Sequence, residues 1–178
     1  MFKETARIIE EEICSWEGRD LLNIGSGDVD FYRRNQPYVG KLMDYLDRKG
    51  FSIHNMDLKI NPDEHHFKHC AGDAAVKIPY PDGCFPLIFC LSMLEHVLYP
   101  QKVISEVRRV LDKDGFVFFE IPAVYPHHPD PIDTGLRAKS MVAWEQILSY
   151  EWLIDRYWYI EEPNRGTCSM VRARKVRT

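Results

Sequence analysis

Leu21-Leu22-Asn23-Ile24-Gly25-Ser26-Gly27 is a short apolar run that stops at two glycines flanking a serine. Apolar residues without alternation point to a strand covered on both faces, as in the middle of a parallel sheet. Gly25 and Gly27 then make a tight turn where no Cβ keeps a ligand from the backbone. Upstream, Phe2, Ala6, Ile9, Ile13 and Trp16 fall three or four apart, one face of a helix that Gly18 closes. Downstream, Pro37 is placed to open a helix with Val39, Leu42, Met43 and Leu46 inward and Gly50 at its end. Residues 51–56 read as a strand ending at Asp57, and residues 67–71 as another ending at Gly72-Asp73. Pro79 to Gly83 form a turn, 87–91 are a fully apolar strand, and Pro100 opens a helix with Val103, Val107 and Val110 on one face. Residues 116–121 are a further apolar strand. This alternation with short connections predicts a doubly wound α/β fold. After a helix carrying Met141, Trp144 and Leu148, residues 152–160 and 168–176 alternate about Pro163-Asn164-Arg165-Gly166, which predicts an antiparallel hairpin.

The 178 residues fit a single domain over 1–178. Net charge is 23 − 27 = −4, against a general nucleic-acid binder. No run approaches the length of an apolar membrane span, and four acids among residues 1–12 are unlike a signal peptide. Five cysteines without a C-x-x-C pair suit reduced thiols in the cytoplasm.

In an open α/β sheet, ligands bind beyond the carboxyl ends of the strands. The residues there are Asn23 to Gly27, Asp57, Gly72-Asp73-Ala74, and Ser92 to His96. An acid after the second strand can accept from both ribose hydroxyls. One after the third can accept from an exocyclic amine, and together they outline an adenosine site. A dinucleotide would need G-x-G-x-x-G opening into a helix, whereas this chain has only Gly25 and Gly27, Val29 stands two residues on, and the helix waits until Pro37. A nucleoside ligand without phosphates, such as S-adenosylmethionine, fits better.

Four segments in order carry a family resemblance. They are Leu22-Asn23-Ile24-Gly25-Ser26-Gly27; Ala71-Gly72-Asp73-Ala74 with Ile78-Pro79-Tyr80-Pro81-Asp82-Gly83-Cys84-Phe85; Ser92-Met93-Leu94-Glu95-His96-Val97; and Glu106-Val107-Arg108-Arg109-Val110-Leu111-Asp112-Lys113-Asp114-Gly115. With them the chain resembles the class I, Rossmann-like, S-adenosylmethionine-dependent methyltransferases. The resemblance implies a doubly wound, mostly parallel seven-stranded sheet ending in an antiparallel hairpin. It implies S-adenosylmethionine as cofactor and S-adenosylhomocysteine as product. It assigns cofactor contact to Asn23, Gly25, Ser26, Gly27, Asp57, Leu58, Gly72, Asp73, Ala74, Leu91 and Ser92. Three positions depart from the pattern: Asn23 stands for an acid, Val29 for a glycine, and Pro86 for the Asp before the fourth strand.

The implied activity is methyl transfer to a small-molecule acceptor, a sugar or natural-product intermediate among the options. The alternative is an S-adenosylmethionine-binding module without turnover that acts through a partner. His96 is a candidate base, as are His127 and His128 in the proline-rich segment after the fifth strand. Bland readings stand beside these: Asp57 and Asp73 as turn caps, His127 and His128 in a rigid connector, Tyr45 and Lys49 on a solvated helix edge. His65, His66, His69 and Cys70 lack the partner ligands of a metal site, so no metal is expected. Arg172, Arg174, Lys175 and Arg177 read as the outer face of an edge strand. Oligomeric state stays open.

Overall fold

The computed structural model describes residues 3–27, 37–59, 67–124, 133–163 and 166–176; Phe2, Val29, His65, His66, His127, His128 and Arg177 lie outside them. Seven strands form one sheet in the order β3-β2-β1-β4-β5-β7-β6. β1 (Asp20–Ile24), β2 (Ser52–Asp57), β3 (Lys68–Ala71), β4 (Phe85–Leu91) and β5 (Leu111–Val124) are parallel. β7 (Gly166–Lys175) pairs antiparallel with both β5 and β6 (Trp152–Glu162). The expected doubly wound sheet with its terminal hairpin is what the chain builds.

Alternation along the strands sorts side chains to two faces. Leu21, Ile53, Leu87, Phe89 and Phe118 meet Ala6 and Ile9 of α1 (Lys3–Glu12) and Leu42 and Leu46 of α2 (Pro37–Arg48). Leu22, Ile24, Met56, Ile88, Val117 and Phe119 meet Val103 and Val107 of α3 (Pro100–Val110) and Trp144 and Leu148 of α4 (Met141–Leu148). Buried Trp144 keeps its polar tip satisfied by donating Nε1–H to Ser169 Oγ at 2.9 Å.

Three local features differ from expectation. β5 begins at Leu111, not at 116, because Leu111 already pairs with Phe85 before the register shifts ahead of Leu87. Pro86 sits at that shift, where its missing N–H disturbs no regular ladder. Gly115 is required there, since a Cβ would lie 2.8 Å from the Pro86 carbonyl oxygen. Second, β7 is an interior strand, so its basic residues do not guard an edge. Arg172 instead donates to Asp155 at 3.1 and 3.0 Å and to Glu12 at 2.5 Å, with its guanidinium 4.7 Å above the Phe116 ring. The hairpin turns its second strand inward, which leaves β6 as the edge. Third, Tyr45 and Lys49 are not merely solvated: they donate to the Glu10 and Cys14 carbonyls and tie α2 to α1.

Candidate active site

β1 delivers its turn to the carboxyl edge with Gly25 at φ +73 and Gly27 at φ +59, the left-handed region that glycine enters freely. A Cβ on Gly25 would lie 2.6 Å from Met93 Cγ. Packing against the chain beyond β4 thus demands glycine here, a reason separate from ligand approach. Gly25 N–H donates to the Met56 carbonyl at 2.8 Å, and Gly27 N–H to Asp57 Oδ2 at 2.8 Å. The carboxylate at the end of β2 therefore shapes the β1 turn through Oδ2, and Oδ1 takes no hydrogen bond among the described residues. Gly72 N–H donates to the Asp57 carbonyl at 2.9 Å, which brings the third segment alongside.

Asp73 is exposed, and its Oδ1 accepts from Ala75 N–H at 2.8 Å. It is a turn cap, as the bland reading has it, and Oδ2 takes no hydrogen bond among the described residues. Ala74 is buried in the core, so only its backbone reaches the edge, and Leu91 is half-buried in the other core cluster. Ser26 is buried, while Leu58 and Val76 are exposed apolar residues beside the two aspartates. Hydroxyl acceptors, an amine acceptor, an apolar platform and a glycine turn all suit an adenosine-bearing ligand without phosphates. Asn23 lies deeper: its Nδ2–H donates to Asn55 Oδ1 on β2 at 3.0 Å, and both are buried.

Beyond β4 the edge is built otherwise. Ser92 adopts φ +51, which a non-glycine residue holds only under constraint. Its N–H donates to the Glu120 carbonyl at 2.9 Å and its hydroxyl to Glu120 Oε1 at 2.5 Å. Glu120 is fully buried, and its Oε2 accepts from the Thr5 hydroxyl of α1. A 3-10 turn (Leu94–His96) follows. Glu95 is 2% exposed, and burial, reinforced by the nearby Glu120 charge, pushes its carboxyl up to about 7. Its Oε2 has no hydrogen-bond partner among the described residues. His96 is half-buried, with Nε2 3.7 Å from Glu95 Oε1. The Glu95 carbonyl accepts from Thr134 N–H at 2.8 Å and the Thr134 hydroxyl at 3.0 Å. Next to it, Asp133 grips Arg137 through both oxygens, at 2.9 and 2.6 Å, which holds that guanidinium more firmly protonated.

The structure thus brings Asn23, Gly25, Ser26, Gly27, Asp57, Leu58, Gly72, Asp73, Ala74, Leu91, Ser92 and His96 to the ends of adjacent strands. Among the described residues no three His, Cys, Asp or Glu side chains gather as a metal site. Sequence reasoning passed over Thr5, Asn55 and Glu120. The available sign was one charge inside the apolar run 116–121, at Glu120; Asn55 stands in a strand that also carries Ser52, His54 and Asp57.

The fold thus carries a glycine turn and two aspartates at its carboxyl edge. A family model described as a methyltransferase domain matches residues 22–119, more than half of the chain. The chain belongs to this family and is an S-adenosylmethionine-dependent methyltransferase. No curated protein matches it. Among solved structures it is similar to the (4+2)-cyclase SpnF, with TM-score 0.71 and 17% identity, covering 97% of this chain and 80% of that one. It is similar to a Methanosarcina mazei SAM-dependent methyltransferase, with TM-score 0.68 and 15% identity over 96% of this chain and 98% of that one. It is also similar to the Burkholderia thailandensis 1,6-didemethyltoxoflavin-N1-methyltransferase with bound 1,6-didemethyltoxoflavin and S-adenosylhomocysteine, with TM-score 0.68 and 12% identity over 98% and 77%.

Proposed function

We propose that the chain transfers the methyl group of S-adenosylmethionine to a small-molecule acceptor in the cytoplasm, by in-line displacement. The observation that carries this is Asp57, which fixes the glycine turn through Oδ2 and leaves Oδ1 for a ribose hydroxyl. Asp73 Oδ2 takes the adenine amine, and Leu58 lies against the base. Gly25, Ser26, Gly27, Gly72, Ala74, Leu91 and Ser92 wall the site, with Asn23 beneath the methionine portion. When bound, the cofactor supplies a methyl group already activated by its sulfonium. The remaining work is alignment, which can supply about 7–11 kcal/mol of barrier reduction, so no metal or triad is required. An acceptor hydroxyl must also lose a proton, and His96, together with His127 and His128 of the segment after β5, are the candidate bases. The acidic balance disfavours a nucleic-acid acceptor. A small acceptor is supported by the structural relative solved with 1,6-didemethyltoxoflavin.

The test is transfer of labelled methyl from S-adenosylmethionine across a panel of hydroxylated and amine-bearing metabolites, alongside calorimetry with S-adenosylhomocysteine. Transfer to one class supports the reading; tight binding without transfer to any acceptor would favour a binding module that works through a partner. With the acceptor found, replacing His127 and His128 together by Ala should cut transfer by about 10²-fold, the weight of a positioned base, and leave cofactor affinity intact.

A further inference from the structure

The contacts of Glu120 converge on one strained residue. Ser92 holds φ +51 without being glycine, and the left-handed region crowds any Cβ. Something must hold it there, and both halves of Glu120 do so: the backbone carbonyl accepts the Ser92 N–H at 2.9 Å and Oε1 accepts its hydroxyl at 2.5 Å. The Thr5 hydroxyl occupies Oε2, which orients the carboxylate from α1. Glu120 is fully buried in β5, so its position is set by the sheet itself. The residue after Ser92 is Met93, whose side chain fills the space where a Gly25 Cβ would be. A change at Ser92 is therefore felt at the glycine turn.

We propose that Glu120 is a positioning residue: by taking the Ser92 hydroxyl it holds the left-handed bend that presses Met93 onto Gly25, and so shapes the methionine end of the cofactor site. This rests on the cofactor reading above. The carboxylate touches neither cofactor nor acceptor; it acts through Ser92. Glutamine at the same place keeps the arrangement, because a hydroxyl can donate to the amide oxygen or accept from its nitrogen. Glycine at position 92 loses the bond but keeps the bend, since positive φ costs it nothing. Alanine at position 92 loses the bond and retains the steric reason to leave it.

The experiment is calorimetric titration of S-adenosylhomocysteine into the full chain, well below the melting temperature, for wild type, Ser92→Ala, Ser92→Gly, Glu120→Gln and Glu120→Ala. Ser92→Ala should weaken binding by about tenfold, the weight of one left-handed non-glycine residue freed to relax, and Ser92→Gly by about threefold. Glu120→Gln should stay nearer to wild type than Glu120→Ala, and adding Ser92→Gly to Glu120→Ala should restore part of the affinity. The Ser92 pair keeps the test decisive where Glu120→Ala does not fold. A merely structural Glu120 would lower melting temperatures while the folded variants bind alike, or make glycine at 92 more harmful than alanine; either overturns the proposal. Wild type that fails to bind overturns the cofactor reading first, and this proposal with it.

Discussion

At the ends of β2 and β3, Asp57 and Asp73 each have a carboxylate oxygen without a hydrogen bond among the described residues, at a half-exposed or exposed position, whereas past β4 and within β5, Glu95 and Glu120 are buried. The first pair shapes its own turns through backbone N–H groups a few residues or one strand away. The second pair ties together α1, β4, β5 and the segment around Thr134, and one of its members is held near neutrality. One half of the edge is a surface awaiting a polar ligand. The other is a closed polar core whose charges cost stability unless protonated or bonded. The two halves of one sheet edge thus rest on different physics.

The contrast can be broken at several points. Gly25→Ala attacks the seam between the halves, adding left-handed strain and overpacking against Met93; a loss of about 3 kcal/mol or more in urea unfolding is expected. A loss below about 1 kcal/mol would mean that Met93 yields and the seam is soft. Glu95→Gln probes the closed half. Its carboxyl moves from 4.5 to about 7 on folding, so below the lower value both states are protonated and wild type loses nothing. Between the two the folded state keeps a proton the unfolded state has released, and stability falls as pH rises; above about 7 the loss is complete. The glutamine variant lacks this loss, so its stability relative to wild type should rise by about 3 kcal/mol between pH 4.5 and pH 8. A gap independent of pH would show that Glu95 ionises as freely as in the unfolded chain.

On the open side, Asp57→Ala removes a charge-assisted acceptor worth about 1.5–3 kcal/mol, so S-adenosylhomocysteine should bind ten- to a hundredfold more weakly by calorimetry. Unchanged affinity would remove that carboxylate from the ribose. The smallest effect is expected at Thr134→Val, which loses one bond to the Glu95 carbonyl and keeps the N–H bond beside it. Chemical denaturation should register about 1 kcal/mol, with cofactor affinity untouched. A drop in affinity there would mean that the two halves are coupled more closely than the hydrogen bonds indicate.

The open half was legible in the amino-acid sequence because the strand pattern itself marks its positions. Two glycines end an apolar run and an acid stands at each of the next two strand ends, although Asp57 reaches the β1 turn across 30 positions. Those turns appear where the sequence places them. The closed half was not legible, because Thr5, Ser92, Glu95, Glu120 and Thr134 meet only through long-range pairing. Ser92 and Glu120 are bonded across 28 positions, and Thr5 and Glu120 across 115. Glu120 stood in the open as one charge in the apolar run 116–121, but period and propensity say nothing of what such a residue will meet. The basic residues of β7 misled for a similar reason. Their alternation gives the two faces of a strand, while its place inside the sheet depends on how the hairpin docks onto β5.

That docking also has a bearing on how the chain is made. β7 lies between β5 and β6, and β6 reaches the sheet through β7 alone. On the ribosome both neighbours are synthesised before the strand that joins them. At ordinary elongation rates the edge of β5 waits for its mate for roughly three to ten seconds and the aromatic β6 for roughly one or two. Unpaired edges of this kind recruit other chains. Chains halted and released after Glu162 should therefore be held by chaperones or precipitate, whereas those released after Lys175 should leave the translation machinery free of both.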